Sequence, residues 1–214
     1  MINYHPGQYI TVRIKKDGHF HNRHYSLTEP FDGKTYRIAI KDEIEHEPHG
    51  VVSTEIIDNY KEGDTLLVSL PAGTFALIDN AEHHLFISGG IGITVMVPLI
   101  QQLEKLGQAT KATLIQCATT KDQAAFTDKI GSILSADQYH LLCNGEILNQ
   151  ERLKKVLKSN TQVYLCGSLG FMDAVQDLLE EIGHPKNQVH TEAFQPALSV
   201  IRGAVRNHSV TKTL

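Results

Sequence analysis

The sequence has no tryptophan, few cysteines and no long apolar run, and each shortage excludes something. No stretch approaches the roughly 20 consecutive apolar residues that a membrane-spanning helix needs. The N-terminus, MINYHPGQY, lacks the charged-then-apolar layout of a secretory signal, so a cytoplasmic protein is expected. Basic residues are in deficit: 20 Lys and Arg against 24 Asp and Glu give a formal net charge of −4. A dedicated nucleic-acid binder shows the opposite balance. Cys117, Cys143 and Cys166 are odd in number and widely spaced, which fits neither a disulfide framework nor an iron–sulfur cluster. Histidine is abundant, but the pairs His19/His21, His46/His49 and His83/His84 have no third ligand at zinc-like spacing. No metal site is expected, and solvated loop and turn histidines are the plainer account.

What is present divides into two patterns. From Gln8 to Pro71 apolar residues recur every second position, in QYITVRIK, HNRHYSLT, TYRIAIKD and DTLLVSLP, with turn signals at Lys16–Gly18, Asp32–Gly33 and Glu62–Asp64. Four strands on short turns predict an antiparallel sheet or barrel, with one helical insert, HGVVSTEIIDNY. After about Ala81 short apolar runs alternate with helical segments. HLFIS, TLIQCAT, YHLLC, QVYLCG and QVHTEAF read as strands, and TVMVPLIQQLEKLG, QAAFTDKIGSIL, NQERLKKVL and GFMDAVQDLLEEIG as helices. Strict βα alternation predicts a five-stranded parallel sheet with helices on both faces, a Rossmann-like α/β domain.

Four short stretches carry chemistry. SGGIGIT (Ser88–Thr94) links the first strand of the α/β half to its helix. Glycine there lets backbone approach a phosphate, and the free N–H groups of a helix start attract an anion; glycine-rich turns with no ligand are also common. YLCGSLGFM (Tyr164–Met172) is a second strand–turn–helix start, where Cys166 either fills the core or lines a site for a flat ligand approaching Gly167 and Gly170. HGVVS places Gly50 to Ser53 at another helix N-terminus, a ready anion site or a simple cap by Ser53. In NRHYSLTEP, Arg23 and Tyr25 point to one face of a strand, and His24 and Ser26 to the other. An arginine beside a tyrosine can bind phosphate and stack on an aromatic ring together; the alternative is a surface arginine next to a packed tyrosine.

The ordered set PGQYI (Pro6–Ile10), RHYSL (Arg23–Leu27), HGVVS (His49–Ser53), LPAGTF (Leu70–Phe75), SGGIGIT, CGSLGFM (Cys166–Met172) and HTEAFQP (His190–Pro196) resembles the ferredoxin-reductase-type flavoprotein family. More narrowly it is similar to the reductase half of bacterial flavohemoglobins, the nitric oxide dioxygenases. The resemblance implies an FAD-binding barrel over residues 1–81 and an NAD(P)-binding α/β domain over 82–196; the tail, 197–214, has no strong periodicity and no counterpart in the family, and is expected to be frayed or disordered. Arg23 would hold the FAD pyrophosphate, Tyr25 would stack on the isoalloxazine, and Ser26 would hydrogen-bond near its N5. Tyr9 and His24 would complete the flavin side of the barrel, and backbone at Gly50, Val52 and Ser53 would meet the pyrophosphate. Gly89, Gly90, Ile91, Gly92, Ile93 and Thr94 would cradle the phosphates of NADH or NADPH, with Cys166 and Gly167 beside the nicotinamide. Ala193, Phe194, Gln195 and Pro196 would line the other flavin face, Phe194 covering it until nicotinamide displaces it, and Glu192 would tune the flavin from its edge. Tyr25, Ser26, Cys166 and Glu192 are thus the expected catalytic set.

Thr94-Val95, Cys166-Gly167-Ser168 and Phe194-Gln195-Pro196 depart from the Thr-Pro, Cys-Gly-Pro and Phe-Gly-Pro usual in the family, changes that soften loops and leave the chemistry in place. A barrel of this family has six strands and only four are read here, so the chain is expected to start partway into the barrel. It also has no room for a heme-binding globin domain; heme belongs to the full-length relatives. The expected reaction is hydride transfer from NAD(P)H to FAD, with single electrons leaving to a heme or another acceptor. Two other readings stay open: a free-standing reductase with its own partner, and an inactive fragment that cannot hold FAD. Thr120 and Lys121 either meet a 2′-phosphate or are ordinary turn residues, so NADH and NADPH are not distinguished.

Overall fold

The computed structural model describes residues 1–41, 50–194 and 208–209. They fall into two compact units, Met1–Thr74 with the C-terminal segment, and Phe75–Phe194.

In the first unit, β1 (Tyr9–Lys16) and β2 (His19–Ser26) pair antiparallel from Tyr9–Ser26 to Lys16–His19. The two turn residues, Asp17 and Gly18, have φ of 51° and 80°, the backbone sense that matches the twist of a tight hairpin. β3 (Thr65–Val68) pairs with β1, and a short strand near the C-terminus (His208–Ser209) pairs with β3. Ile10, Val12 and Ile14 of β1 pack with Leu66 and Val68 of β3 and with Val52 and Ile56 of α1 (Val51–Asn59). The alternation in TYRIAIKD predicts a strand, but the backbone of its described residues joins its neighbours through one bridge, Leu27–Ile38, and one Thr28 N–H to Arg37 carbonyl bond of 2.9 Å. Tyr36, Ile38 and Ile40 pack against the core, so the period of two reflects one-sided packing without a ladder. Asp42 to His49 and most of the tail lie outside the described residues.

In the second unit the chain runs β4 (His83–Gly89), α2 (Ile93–Lys105), β5 (Ala112–Cys117), α3 (Thr127–Gly131), β6 (Tyr139–Leu142), α4 (Gln150–Val156), β7 (Thr161–Gly167), α5 (Leu169–Glu181) and β8 (Val189–Ala193). All five strands are parallel, in the order β6-β5-β4-β7-β8. Phe86, Tyr164 and Cys166 face α2 and Ile130 of α3. Leu85, Ile87, Val163 and Leu165 face Leu153 of α4 and Met172, Val175 and Leu179 of α5. Burial on both faces is why these strands read as continuous apolar runs. The helix predicted over QAAFTDKIGSIL shrinks to α3, because Phe126 adopts a left-handed φ of 64° immediately before it. The change of period near Ala81 also trails the border between units: Phe75 already packs edge-on against Tyr164, centroids 5.9 Å apart, and Leu77 joins the same core.

The first strand of this unit, β4, lies between the second, β5, and the fourth, β7. The chain therefore reverses its direction of winding between β4 and β7, the point at which open α/β sheets leave a crevice outside their carboxyl ends.

Candidate functional site

In the first unit Arg23 lies opposite Val12 and Tyr25 opposite Ile10, on the core-facing side of the hairpin. Tyr25 packs against that core, and burial pushes its phenol up to about 12. The Arg23 guanidinium donates from Nη1 to the carbonyl of Asn22 at 2.9 Å, and among the described residues no ion pair holds it. On the other side Ser26 lies opposite Tyr9 and is buried. The His24 ring stacks on Tyr9, with centroids 4.4 Å apart and planes at 19°. Burial, then the Arg23 charge, lowers the His24 pKa, a shift that favours the neutral ring in that stack. Gly73, of the LPAGTF stretch, supports the other partner: at φ +110° its Cα sits so near Tyr9 that a Cβ would come within 3.1 Å of the ring.

The N-terminus of α1 has Gly50 as its N-cap, with no side-chain cap and no acid in the first turn. Ser53 is the third helical residue, and its Oγ donates to the Gly50 carbonyl at 3.0 Å, so it is not the cap. Intrahelical bonding begins with Thr54 N–H to the Gly50 carbonyl, which leaves the N–H groups of Val51, Val52 and Ser53 without a helical acceptor. This first unit thus offers a guanidinium and a helix start of matching sign for an anion, with a tyrosine ring two positions from the arginine.

In the second unit the glycine turn of β4 and the Cys166–Gly167 end of β7 lie side by side, with Ser88 registered against Cys166. The chain passes from Gly90–Gly92, one turn of 3₁₀ helix, into α2, again with no side-chain cap and no acid in its first turn. The glycines do different work. A Cβ on Gly92 would lie 2.3 Å from the Cys166 carbonyl oxygen, and one on Gly89 2.7 Å from the Phe171 ring. A Cβ on Gly167 would lie 2.6 Å from that same ring. Gly90, at φ +53°, and Gly170, in the first turn of α5, have open space where a Cβ would stand; of the three glycines in the β4 turn, Gly90 is the open one.

Thr94 Oγ1 donates to the Ile91 carbonyl at 2.9 Å and ties the turn to the helix, while Ile93 is buried in the core. Ser88 Oγ is buried with no hydrogen-bond partner at the end of β4. Cys166 is buried, and burial, then the charge of Glu192, raises its thiol pKa; at neutral pH it is a neutral core residue with no nucleophilic character. Glu192 pairs with Cys166 across β7 and β8, and burial raises its carboxyl. Ala193 ends β8 and Phe194 follows, 38% exposed; Gln195 and Pro196 lie outside the described residues. Thr120 stands at the N-cap position of a 3₁₀ turn that begins at Lys121, with no side-chain capping bond.

Gly73 and Phe171 are two contributors that pattern reading passes over. Gly73 has a sequence signal, its place in LPAGTF, whereas Phe171 reads as one more apolar residue of an amphipathic helix. A cavity of about 420 Å³ between α4 and edge strand β6, walled by Ile115, His140, Leu142, Arg152 and Val156, contains none of these site residues. Among the described residues there is no cluster of three potential metal ligands, and no helix is long and apolar enough to cross a membrane.

Residues 1–77 match the oxidoreductase FAD-binding domain family. The chain is 30% identical to flavohemoprotein A of Dictyostelium discoideum over 94% of its own length and 55% of that protein's. It is 33% identical to the flavohemoprotein of Pseudomonas aeruginosa over 94% of its length and 53% of that protein's. In structure it is similar to the flavohem-like FAD/NAD-binding domain of nitric oxide dioxygenase from Vibrio cholerae O1 biovar El Tor. The TM-score there is 0.80 at 26% identity, over 92% of this chain and 87% of that one.

Fold and family match together define the class: an oxidoreductase FAD-binding domain joined to a parallel α/β unit, the ferredoxin-reductase-like architecture. Within that class the chain is similar to the reductase half of flavohemoproteins, and it spans about half the length of the curated relatives it matches.

Proposed function

We propose that this chain is an NAD(P)H-dependent flavoprotein reductase of the nitric oxide dioxygenase type. The first unit holds FAD, and the second binds NADH or NADPH. Bound FAD would supply the hydride acceptor and single-electron donor that no protein side chain provides. Arg23, with no ion pair among the described residues, and the start of α1, with no side-chain cap, fit the two charges of a pyrophosphate. Tyr25 supplies a flat, desolvated surface for the isoalloxazine, and Ser26 a hydroxyl for its N5 edge. The N–H groups at Gly90–Thr94 take the pyridine-nucleotide phosphates, with Gly90 providing the close approach, and Cys166–Gly167 borders the nicotinamide. Glu192, beside Cys166 at the end of β8, tunes the acceptor ring from its edge. The neutral thiol of Cys166 acts by shape. Electrons leave singly to a heme or another acceptor, in the cytoplasm.

The observation that carries this reading is the placement of the β4 glycine turn directly beside the Cys166–Gly167 end of β7, at the reversal point of the sheet. The visible spectrum of the purified chain, reconstituted with FAD and then mixed with NADH or NADPH without oxygen, tests it. A flavin band that bleaches is expected, followed by reduction of added ferricyanide or cytochrome c. A chain that remains colourless after incubation with FAD overturns the flavin part of the reading. A flavin band that neither nucleotide bleaches overturns the hydride-transfer part.

A further inference from the structure

We infer that Phe171 is the positioning residue of the nucleotide crevice, and that Gly89 and Gly167 are glycines because they accommodate its ring. The inference rests on the assignment of the crevice to a pyridine nucleotide. Phe171 is the third residue of α5, and its N–H donates to Oγ of the N-cap Ser168 at 3.3 Å, which anchors its backbone one turn from the end of β7. Its ring reaches back under both strand ends. A Cβ on Gly89 would meet three atoms of that ring at 2.7, 2.9 and 3.0 Å, and nothing else comes closer. A Cβ on Gly167 would meet the ring at 2.6 Å and the backbone of Gly89 at 3.3 Å.

Alternation along β4 and β7 puts both glycines on the same sheet face as Ile87 and Leu165, the face covered by α5. From the opposite face, Gly92 presses on the Cys166 carbonyl and the Gly167 amide, at 2.3 and 3.0 Å from its missing Cβ. The two turns are therefore held between an aromatic ring on one side and a glycine backbone contact on the other. That sandwich fixes where the N–H groups of Gly90–Gly92 point, and misplacing such groups by about 1 Å costs binding steeply. Phe171 need not touch the nucleotide to set its affinity.

The test is a double-mutant cycle on the full chain, reading the dissociation constants of NADH and NADPH by fluorescence and the unfolding midpoint by circular dichroism. Phe171→Ala is expected to weaken binding of the preferred nucleotide by about tenfold or more, with Phe171→Leu largely restoring it. Leu179→Ala, a core truncation near the far end of α5, is expected to lower the midpoint and leave binding within about twofold, which separates positioning from general loss of stability. Gly89→Ala is expected to be damaging in the wild-type background and nearly silent in the Phe171→Ala background, since the clashing atoms are gone. Gly92→Ala, which meets backbone, is expected to be damaging in both.

Equal damage by Gly89→Ala in the two backgrounds overturns the inference. So does nucleotide binding that Phe171→Ala leaves unmoved while the midpoint falls. If the unaltered chain binds neither NADH nor NADPH, the assignment of the crevice falls and this inference falls with it. Binding by the unaltered chain with an unmoved Phe171→Ala overturns the inference alone.

Discussion

Strands β4 and β2 are close in length and opposite in environment. In β4 only the terminal Gly89 is less than fully buried, whereas in β2 only the terminal Ser26 is buried. The contrast extends to how each unit builds its candidate site. The α/β unit uses backbone, N–H groups at a helix start aimed by glycines whose missing side chains are filled by Phe171 and the Cys166 carbonyl. The antiparallel unit uses side chains, with Arg23, Tyr25 and Ser26 set on a half-covered hairpin. A site made of backbone needs a stiff frame, since the sequence can aim it only through packing. A site made of side chains tolerates a looser frame and is exposed to single truncations. The two units should therefore fail differently.

The largest difference is expected from the core. Phe86 is fully buried, its ring stacked on Tyr164 with centroids 5.0 Å apart. Phe86→Ala should destabilise the second unit by about 4 kcal/mol. Hydrogen exchange read by mass spectrometry should show β4, β5 and β7 losing protection while β1 and β2 keep theirs. Equal loss in both units would mean that they unfold as one cooperative block, and the contrast in frames would lose its mechanical meaning.

Acid offers a second way to separate the units. His83 and His84 open β4 and are buried. His83 is held between Thr161 Oγ1 at 2.9 Å and Thr113 Oγ1 at 3.0 Å, and His84 Nδ1 lies 3.1 Å from the Tyr164 hydroxyl. The Tyr164 hydroxyl accepts from the Ile78 N–H at 2.8 Å, so its proton is free for His84 Nδ1, which suits a neutral ring. Burial lowers both histidines to about 4, with the nearby Lys158 and Lys111 charges adding to the effect. Unfolded, each titrates near 6.5. The unfolded chain therefore binds more protons below that value, and stability is complete above about pH 6.5 and falls as pH drops towards 4. Between pH 7 and 5.5 the loss should be roughly 2 kcal/mol for the pair. His84→Phe should flatten the slope in urea titrations of the second unit, and an unchanged slope would show that these rings already titrate in the native state.

The same physics decides what can be read from sequence. Both flanks of β4 are apolar, so its strand character, the βα alternation and the glycine turn after it are legible in the order of residues. The helix starts at Val51 and Ile93 are legible for the same kind of local reason. Phe171 is not, because its role depends on two glycines brought beside it only by the pairing of β4 with β7. Nor is it legible that Gly90, of the three glycines in the β4 turn, is the open one. The stretch from Thr35 to Ile40 misleads in the opposite sense, since its alternation records packing against Val12 and its neighbours without the ladder that alternation usually accompanies.

For the side-chain site the comparison predicts a binding effect with little structural cost. Arg23 is half-buried, makes one hydrogen bond to a neighbouring carbonyl and pairs with no carboxylate among the described residues. Arg23→Ala should leave stability within about 0.5 kcal/mol. It should weaken FAD binding by about 2 kcal/mol, roughly thirtyfold, as a lost charge-assisted bond to phosphate does. Urea unfolding measures the first effect and flavin titration followed by absorbance the second. A variant that binds FAD as tightly as the parent would remove the pyrophosphate from Arg23.

The smallest effect is expected at the far end of the same hairpin, and it is the sharpest check on the half-covered frame. Phe20 is 62% exposed on the face it shares with Arg13 and Lys15, whose cationic groups lie 5.4 and 6.0 Å from its ring centroid. Arg13 is also held by Asn22, its Nε donating to Oδ1 at 2.9 Å. A ring this open has little apolar area to lose, and a cation over an exposed ring contributes about 0.5 kcal/mol. Phe20→Ala should therefore change stability by no more than about 0.5 kcal/mol, with a coupling to Arg13→Ala of the same size or less in a double-mutant cycle. A cost near 2 kcal/mol would mean that this face is covered in solution, and the first unit would then have to be counted with the second, as a frame packed on both sides.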